Sequence, residues 1–167
     1  MTCKLPILAA LVAGFPILSF GAEAFFPLFV IERSQNANVV HYEAKLVDGK
    51  LDAKQPVIVY WIMAAQDGHR QDLNLLERNE AYGFSTQPDG SPGAVVMKLV
   101  SDKQRPIHLA LKDGAVRAET SIGGHQAYLQ KIFITTRKRL TINVAVSAEL
   151  YGVDAETGEA RYEKVMH

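Results

Sequence analysis

Cysteine is almost missing from this sequence: among 167 residues there is one, Cys3, ahead of the N-terminal apolar run. Everything beyond it therefore lacks a disulfide framework, a thiolate metal centre and a cysteine nucleophile. An excess of charge of either sign is also missing. Lys and Arg number 18 against 18 Asp and Glu, which excludes a globally basic nucleic-acid binder and an acidic disordered tail. Gly and Pro, at 12 and 7, are too few for a low-complexity or collagen-like chain. Catalytic signatures are sparse as well. No glycine-rich loop runs into Lys-Ser or Lys-Thr, and there is no G-x-S-x-G elbow. The histidines His41, His69, His108, His125 and His167 form no H-x-H or H-E-x-x-H pair, so no zinc ligand set is expected. No cofactor fingerprint appears. Asp154–Glu159 has the composition of a calcium loop without its length or closing Glu, and is expected to be a hairpin turn. Arg137-Lys138-Arg139 has no aromatic platform beside it and reads as a solvated turn, not a nucleic-acid contact.

What is present begins with an address. Met1–Lys4 is short and basic, Leu5–Phe20 is uncharged and mostly apolar, and Gly21-Ala22-Glu23-Ala24 closes the segment with small residues. That order is the order of a secretory signal peptide. The apolar run is shorter than the roughly 20 residues of a spanning helix and contains Pro6 and Pro16. Cleavage is expected between Ala24 and Phe25. Phe25–His167 would then be one β-rich domain, periplasmic or secreted, with nothing left inserted in a membrane.

The mature part reads mainly as strands. Val40, Tyr42, Ala44 and Leu46 alternate with His41, Glu43 and Lys45, the period of a half-buried strand. Ser34–Asn38 is a turn cluster that pairs this strand with Leu28–Arg33. Val57–Met63 is β-branched and aromatic on both sides, which predicts a central strand covered on both faces. Arg70–Tyr82 changes period and predicts a short helix ending before Gly83. Further strands are expected at Val95–Val100, Ile107–Leu111, Val116–Thr120 and Tyr128–Thr136. Leu140–Tyr151 should follow, with Ile142, Val144, Val146, Ala148 and Leu150 inward and Asn143, Ser147 and Glu149 outward. Asp48-Gly49, Asp113-Gly114 and Gly123-Gly124 mark turns. About nine or ten strands with one helix and no βαβ rhythm predict a mainly antiparallel, barrel-like or strongly curved sheet. A β-sandwich is the alternative.

Polar and aromatic groups cluster in Glu32–Asn38 and Leu76–Gly83, with Tyr60-Trp61 between them. Arg with Trp or Tyr supplies planar donors and stacking faces, as a pocket for a small polar or anionic ligand requires. The same residues could equally form an internal network in which Arg33 or Arg78 pairs with Glu77 and pins the helix to the sheet.

The blocks Leu28–Val40, Pro56–Ile62, and Leu73-Asn74 through Glu77-Arg78 to Ala81-Tyr82-Gly83 resemble the domain-of-unknown-function family 4833. Glu149–Asp154 with Thr157-Gly158 is similar to that family's closing segment. The resemblance implies a small exported bacterial protein with no assigned activity and no catalytic residues to carry over. A β-rich chain without a catalytic constellation, with clustered Arg and aromatics, gives as the expected function an exported, non-enzymatic binding module for a small ligand or peptide, with Arg33, Tyr60, Trp61, Glu77 and Tyr82 lining or gating its cavity. Two alternatives stand beside it. One is a hydrolase or transferase using Glu77 as acid or base, with Arg33 or Arg78 stabilising negative charge. The other is a structural or partner-binding periplasmic protein that adds a strand at a sheet edge.

Overall fold

A computed structural model describes residues 22–140 and 142–167, so the expected leader up to residue 21 lies outside the described residues. Period-two alternation controls most of the chain. β1 (Glu23–Arg33) and β2 (Asn36–Val47) form an antiparallel hairpin, and β2 buries Val40, Tyr42, Ala44 and Leu46 as its alternation requires. The turn needs only Ser34 and Gln35; Asn36 already pairs with Arg33. β1 starts at Glu23, two residues before the expected cleavage point, and Glu23 lies 2.8 Å from Lys45 Nζ. A short β3 (Lys50–Leu51) folds back on β2 through Asp48 and Gly49, both at positive φ, the geometry of a tight hairpin turn.

β4 (Val57–Ile62) pairs with β2 on one side and with the three-residue β5 (Arg70–Asp72) on the other. It is therefore next to the sheet edge, not central as its two apolar faces predict. Val57, Val59 and Trp61 are buried in the core. On the opposite face Tyr60 is covered by its own neighbours: His41 stacks on it at 5.6 Å and the Arg70 guanidinium lies 3.7 Å from its ring centre.

The expected helix over Arg70–Tyr82 is shorter than its sequence window. Arg70–Asp72 is strand, and α1 spans only Leu75–Glu80. Asn74 caps it and Glu77 closes a capping box, each bonding the other's backbone N–H at 2.9 Å. Such a box fixes where a helix starts. Leu73 is buried just before the cap, whereas Leu75 and Leu76 are exposed, so the leucines form no core-facing stripe. Gly83 ends the segment because a Cβ there would collide with the Arg78 carbonyl.

β6 (Phe84–Pro88), β7 (Val95–Leu99), β8 (Asp102–Lys112) and β9 (Ala115–Ile122) then form an antiparallel meander. β10 (His125–Arg139) and β11 (Ile142–Asp154) make a long hairpin, and β12 (Ala160–Met166) returns along β11. Arg137-Lys138-Arg139 are not the turn: they are the paired end of β10, facing Val144, Asn143 and Ile142. The alternation expected across β11 also fails in part. Register passes from Thr135 opposite Ser147 to Thr136 opposite Ala145, a bulge that reverses the faces. Ser147 is consequently buried and Val144 is 38% exposed. A second bulge in β10, between Leu129 and Lys131, lets both Leu129 and Ile132 turn into the core.

β10 organises the whole sheet. One of its edges pairs with β9 at His125–Tyr128 and then, in parallel, with β1 at Lys131–Ile134, while the other edge carries β11. Two wings, β1-β2-β4-β5 and β9-β8-β7-β6, therefore leave the same strand. The result is an open, strongly curled half-barrel. The segment with α1 and Tyr82 crosses from one wing to the other. It is attached by the buried Tyr42 hydroxyl, which donates to the Tyr82 carbonyl at 2.6 Å, and by Val100 N, which donates to the Gly83 carbonyl at 2.9 Å.

Candidate functional site

Between the diverging wings the concave face encloses a mostly apolar cavity of about 340 Å³, within the size range of small-molecule sites, about 300–1,000 Å³. The two bulges between β10 and β11 and the fan of the wings explain it. Ile31 comes from β1, Leu129, Ile132 and Ile134 from β10, and Ala148 and Leu150 from β11. The alanine leaves room that a larger side chain would fill.

Polar groups stand at the cavity's border. Arg105 is one, but its charge is spent: it makes a two-pronged contact with Glu163 at 2.7 and 3.1 Å and a third with Asp102 at 3.2 Å. Glu163 also accepts from Gly123 N at 2.9 Å, and the Arg105 cation holds its carboxyl below the usual range. This arrangement ties β8 to β12 and is structural. Glu80, Ser101 and His167 complete the polar rim.

Arg33 is different. It follows Ile31 by two residues on β1 and is the register partner of Ile134; those two residues line the cavity and Arg33 does not, its guanidinium reaching instead toward β4. Its guanidinium lies 4.5 Å from the Trp61 ring centre and 5.8 Å from that of Tyr82, and the two rings meet edge-on at 5.1 Å. Cation–π contact of this kind is stabilising for a partly desolvated Arg. Burial pushes the Tyr82 phenol up, while the Arg33 cation pulls it back down. Among the described residues, Arg33 has no ion pair within 4.0 Å. One hydrogen bond runs from Nη2 to Asn36 Oδ1 at 3.3 Å, and the buried Nε has no partner.

Of the five residues expected to line a site, Arg33, Trp61 and Tyr82 converge on one another, but none of the five is among the residues that line the cavity. Glu77 stands close enough for its charge to act on Tyr82. Its carboxylate, though, is held by the Asn74 N–H in the capping box. The expected pairing of Glu77 with Arg33 or Arg78 is not formed among the described residues; Arg78 Nε donates instead to the Leu73 carbonyl at 3.1 Å. Tyr60 does not join the cluster. Adjacent strand residues face opposite sides, so Trp61 inward sends Tyr60 outward, where its hydroxyl donates to Glu43 at 2.8 Å. The apolar lining from β10 and β11 escaped sequence reasoning because the bulges move residues across faces without any mark in the alternation. The one available signal was Ala148 within a run of larger apolar residues.

The fold and the cavity define a curled antiparallel half-barrel with an aromatic-stacked arginine beside an apolar hollow. The family model described as Domain of unknown function (DUF4833) matches residues 29–164, and the chain belongs to that family. No match was found among curated proteins or among solved structures.

Proposed function

We propose that this protein is an exported, non-enzymatic binding module that takes a small apolar or amphipathic ligand into the hollow of its curled sheet. The observation that carries the reading is the apolar cavity of about 340 Å³ between Ile31, Leu129, Ile132, Ala148 and Leu150. A packed core of this size closes such space, since interiors tolerate few voids larger than a water molecule. Glu77, the carboxylate that an enzymatic reading would use, is occupied in fixing the start of α1. Export is supported by the basic, apolar and small-residue order of Met1–Ala24.

N-phenylnaphthylamine, a neutral dye that brightens in apolar surroundings, tests the binding reading. Folded protein should bind it at a single saturable site from which decanol displaces it. Ala148→Trp, which fills the hollow, should abolish the signal while far-ultraviolet circular dichroism and a cooperative unfolding transition are kept, and Ala145→Phe provides a second filled variant. Absence of binding to the folded protein, or equal binding to the filled variants, would overturn the proposal. For export, sequencing of the N-terminus of protein recovered from outside the cytoplasm should begin at Phe25; recovery with Met1 retained would contradict it.

A further inference from the structure

We infer that the tip of the β10–β11 hairpin, Arg137 to Leu140, is a docking arm for the surface of a membrane rich in anionic phospholipid. The arm stands free of the rest of the sheet. The β1 ladder on β10 ends at Ile134, and Ser34 adds the last bonds there, donating to the Ile134 carbonyl at 3.0 Å and accepting from Thr136 N at 3.1 Å. On the other strand β12 stops opposite Ser147, and the final bond runs from His167 N to the Val146 carbonyl at 3.0 Å. Beyond those points Arg137, Lys138 and Arg139 pair only with Val144, Asn143 and Ile142. Three rungs of two-stranded ribbon, about 10 Å by the rise of a strand, therefore project past the sheet. A ribbon of two strands gains little stability by itself, so this extension adds little to the fold.

Its composition is aimed outward. No Asp or Glu occurs between Glu119 and Glu149, and Arg137, Lys138 and Arg139 are all exposed. Among the described residues, none of these cations has an acidic side chain within 4.0 Å. In a chain whose 18 cations balance 18 anions, the arm carries a local positive field without any global excess. Leu140 turns the chain at a φ of 56°, a left-handed conformation that Gly or Asn adopts more readily, and it is 92% exposed. Neither turn geometry nor burial within the chain accounts for a leucine there.

An apolar tip beside a run of cations selects a lipid surface among the partners that attract positive charge. Lys and Arg keep their charged heads at headgroup level with their stems along apolar surface. Leu140 can then reach the acyl boundary while the cations meet lipid phosphates. Single-stranded nucleic acid would call for rings to stack on, and Thr136 to Ala145 contains no aromatic residue. A second copy joined arm to arm would oppose like charges. One leucine and three cations give reversible docking, not insertion. The contact goes beyond the cavity reading and does not depend on it. Val144 and Ala145, at the root of the arm, do line the hollow, so docking would bring that wall of the hollow toward lipid.

A nitrobenzoxadiazole label on Asn143→Cys reports the arm, and one on Ser91→Cys, in the loop between β6 and β7, reports another surface; Cys3→Ser accompanies both. The Asn143 label reads the arm itself, whatever residues 1–21 contribute to binding. Vesicles of equal parts phosphatidylglycerol and phosphatidylcholine should blue-shift that label and leave the Ser91 label unchanged, and vesicles of phosphatidylcholine alone should shift neither. Replacing Arg137, Lys138 and Arg139 together by Gln should weaken binding about a hundredfold, about fivefold for each cation near an anionic surface. Leu140→Ser should weaken it roughly tenfold. Should the triple variant fail to fold, raising salt to about 0.5 M should release the arm of the wild type instead. No shift with anionic vesicles, an equal shift with both vesicle types, or binding of the triple variant as tight as wild type overturns the proposal. A label shift that grows with protein concentration in the absence of lipid makes a second copy the occupant and overturns it too. The dye titration above contains no lipid, so failure of the cavity and failure of the arm are read separately.

Discussion

Tyr42 shows how much of this molecule depends on single side chains. Its ring stacks on Phe29 at 4.5 Å and meets Phe84 edge-on at 6.3 Å, one contact in each wing. Its hydroxyl donates to the Tyr82 carbonyl at 2.6 Å, and burial pushes the phenol far above its ordinary range. Tyr42→Phe keeps the ring but leaves that carbonyl without its donor. The variant should lose about 1–3 kcal/mol, measured by urea denaturation, and the loosened Tyr82 should weaken dye binding as well. An unchanged midpoint would mean that the crossing segment is held by something else. Gly152 matters through what it lacks: a Cβ there would lie 2.4 Å from the Tyr128 carbonyl oxygen, so only glycine lets β10 and β11 approach beside the bulge between Leu129 and Lys131. At this scale the sequence was readable where residue type and period agreed, as for Tyr42 and Trp61. It was unreadable for Tyr60, whose apolar ring suggested the same pocket as Trp61 although its position on the strand demands the other face.

At the scale of elements, the hairpin β11–β12 is fastened by Asp154. Its carboxylate accepts from the backbone N–H groups of Glu156 and Thr157, both at 3.0 Å, and from Arg161 Nε at 2.9 Å. The two backbone donors, then Arg161, hold this carboxyl far below the ordinary Asp value. Glu149, bonded by Tyr151 and Lys164, and Glu163, bonded by Arg105, are shifted the same way. Groups with depressed folded pKa values stabilise fully above their unfolded values and lose that contribution as pH falls through the folded ones. Burial also depresses the His41 imidazole, so thermal stability should ease as pH falls below about 6.5 and drop more steeply below about pH 4 as the carboxylates protonate. Asp154→Asn should be less stable at neutral pH and show a shallower acid decline; the same acid slope in the variant would contradict the assignment. The turn at Asp154–Gly158 was legible from its Asp and Gly. The true extent of α1 was not, because Asn74 and Glu77 specify a capping box whose start overrides the wider leucine pattern of Arg70–Tyr82. β6 was missed for a related reason: Phe84-Ser85-Thr86-Gln87 is largely exposed and owes its strand form to pairing with β7, not to an apolar face.

For the whole molecule, curvature follows from one topological fact, that β1 and β9 share an edge of β10. Two wings rooted side by side must diverge, and the right-handed twist of strands carries them into a trough. A mainly antiparallel, strongly curved sheet was legible from the spacing of alternating segments and their Gly-containing turns. The parallel β1–β10 pairing was not, because it joins residues about a hundred positions apart and no local pattern encodes it. That pairing brings Ile31 of β1 beside the β10 residues Ile132 and Ile134 that line the hollow, so the proposed binding depends on the least readable contact in the chain. It is tested most directly by isothermal titration of decanol into the folded protein at several temperatures. Burial of an apolar chain in the hollow requires one saturable site and a negative heat-capacity change, both lost in Ala148→Trp. Saturable binding with no heat-capacity change, or no binding to a sample of native circular dichroism, would contradict the account.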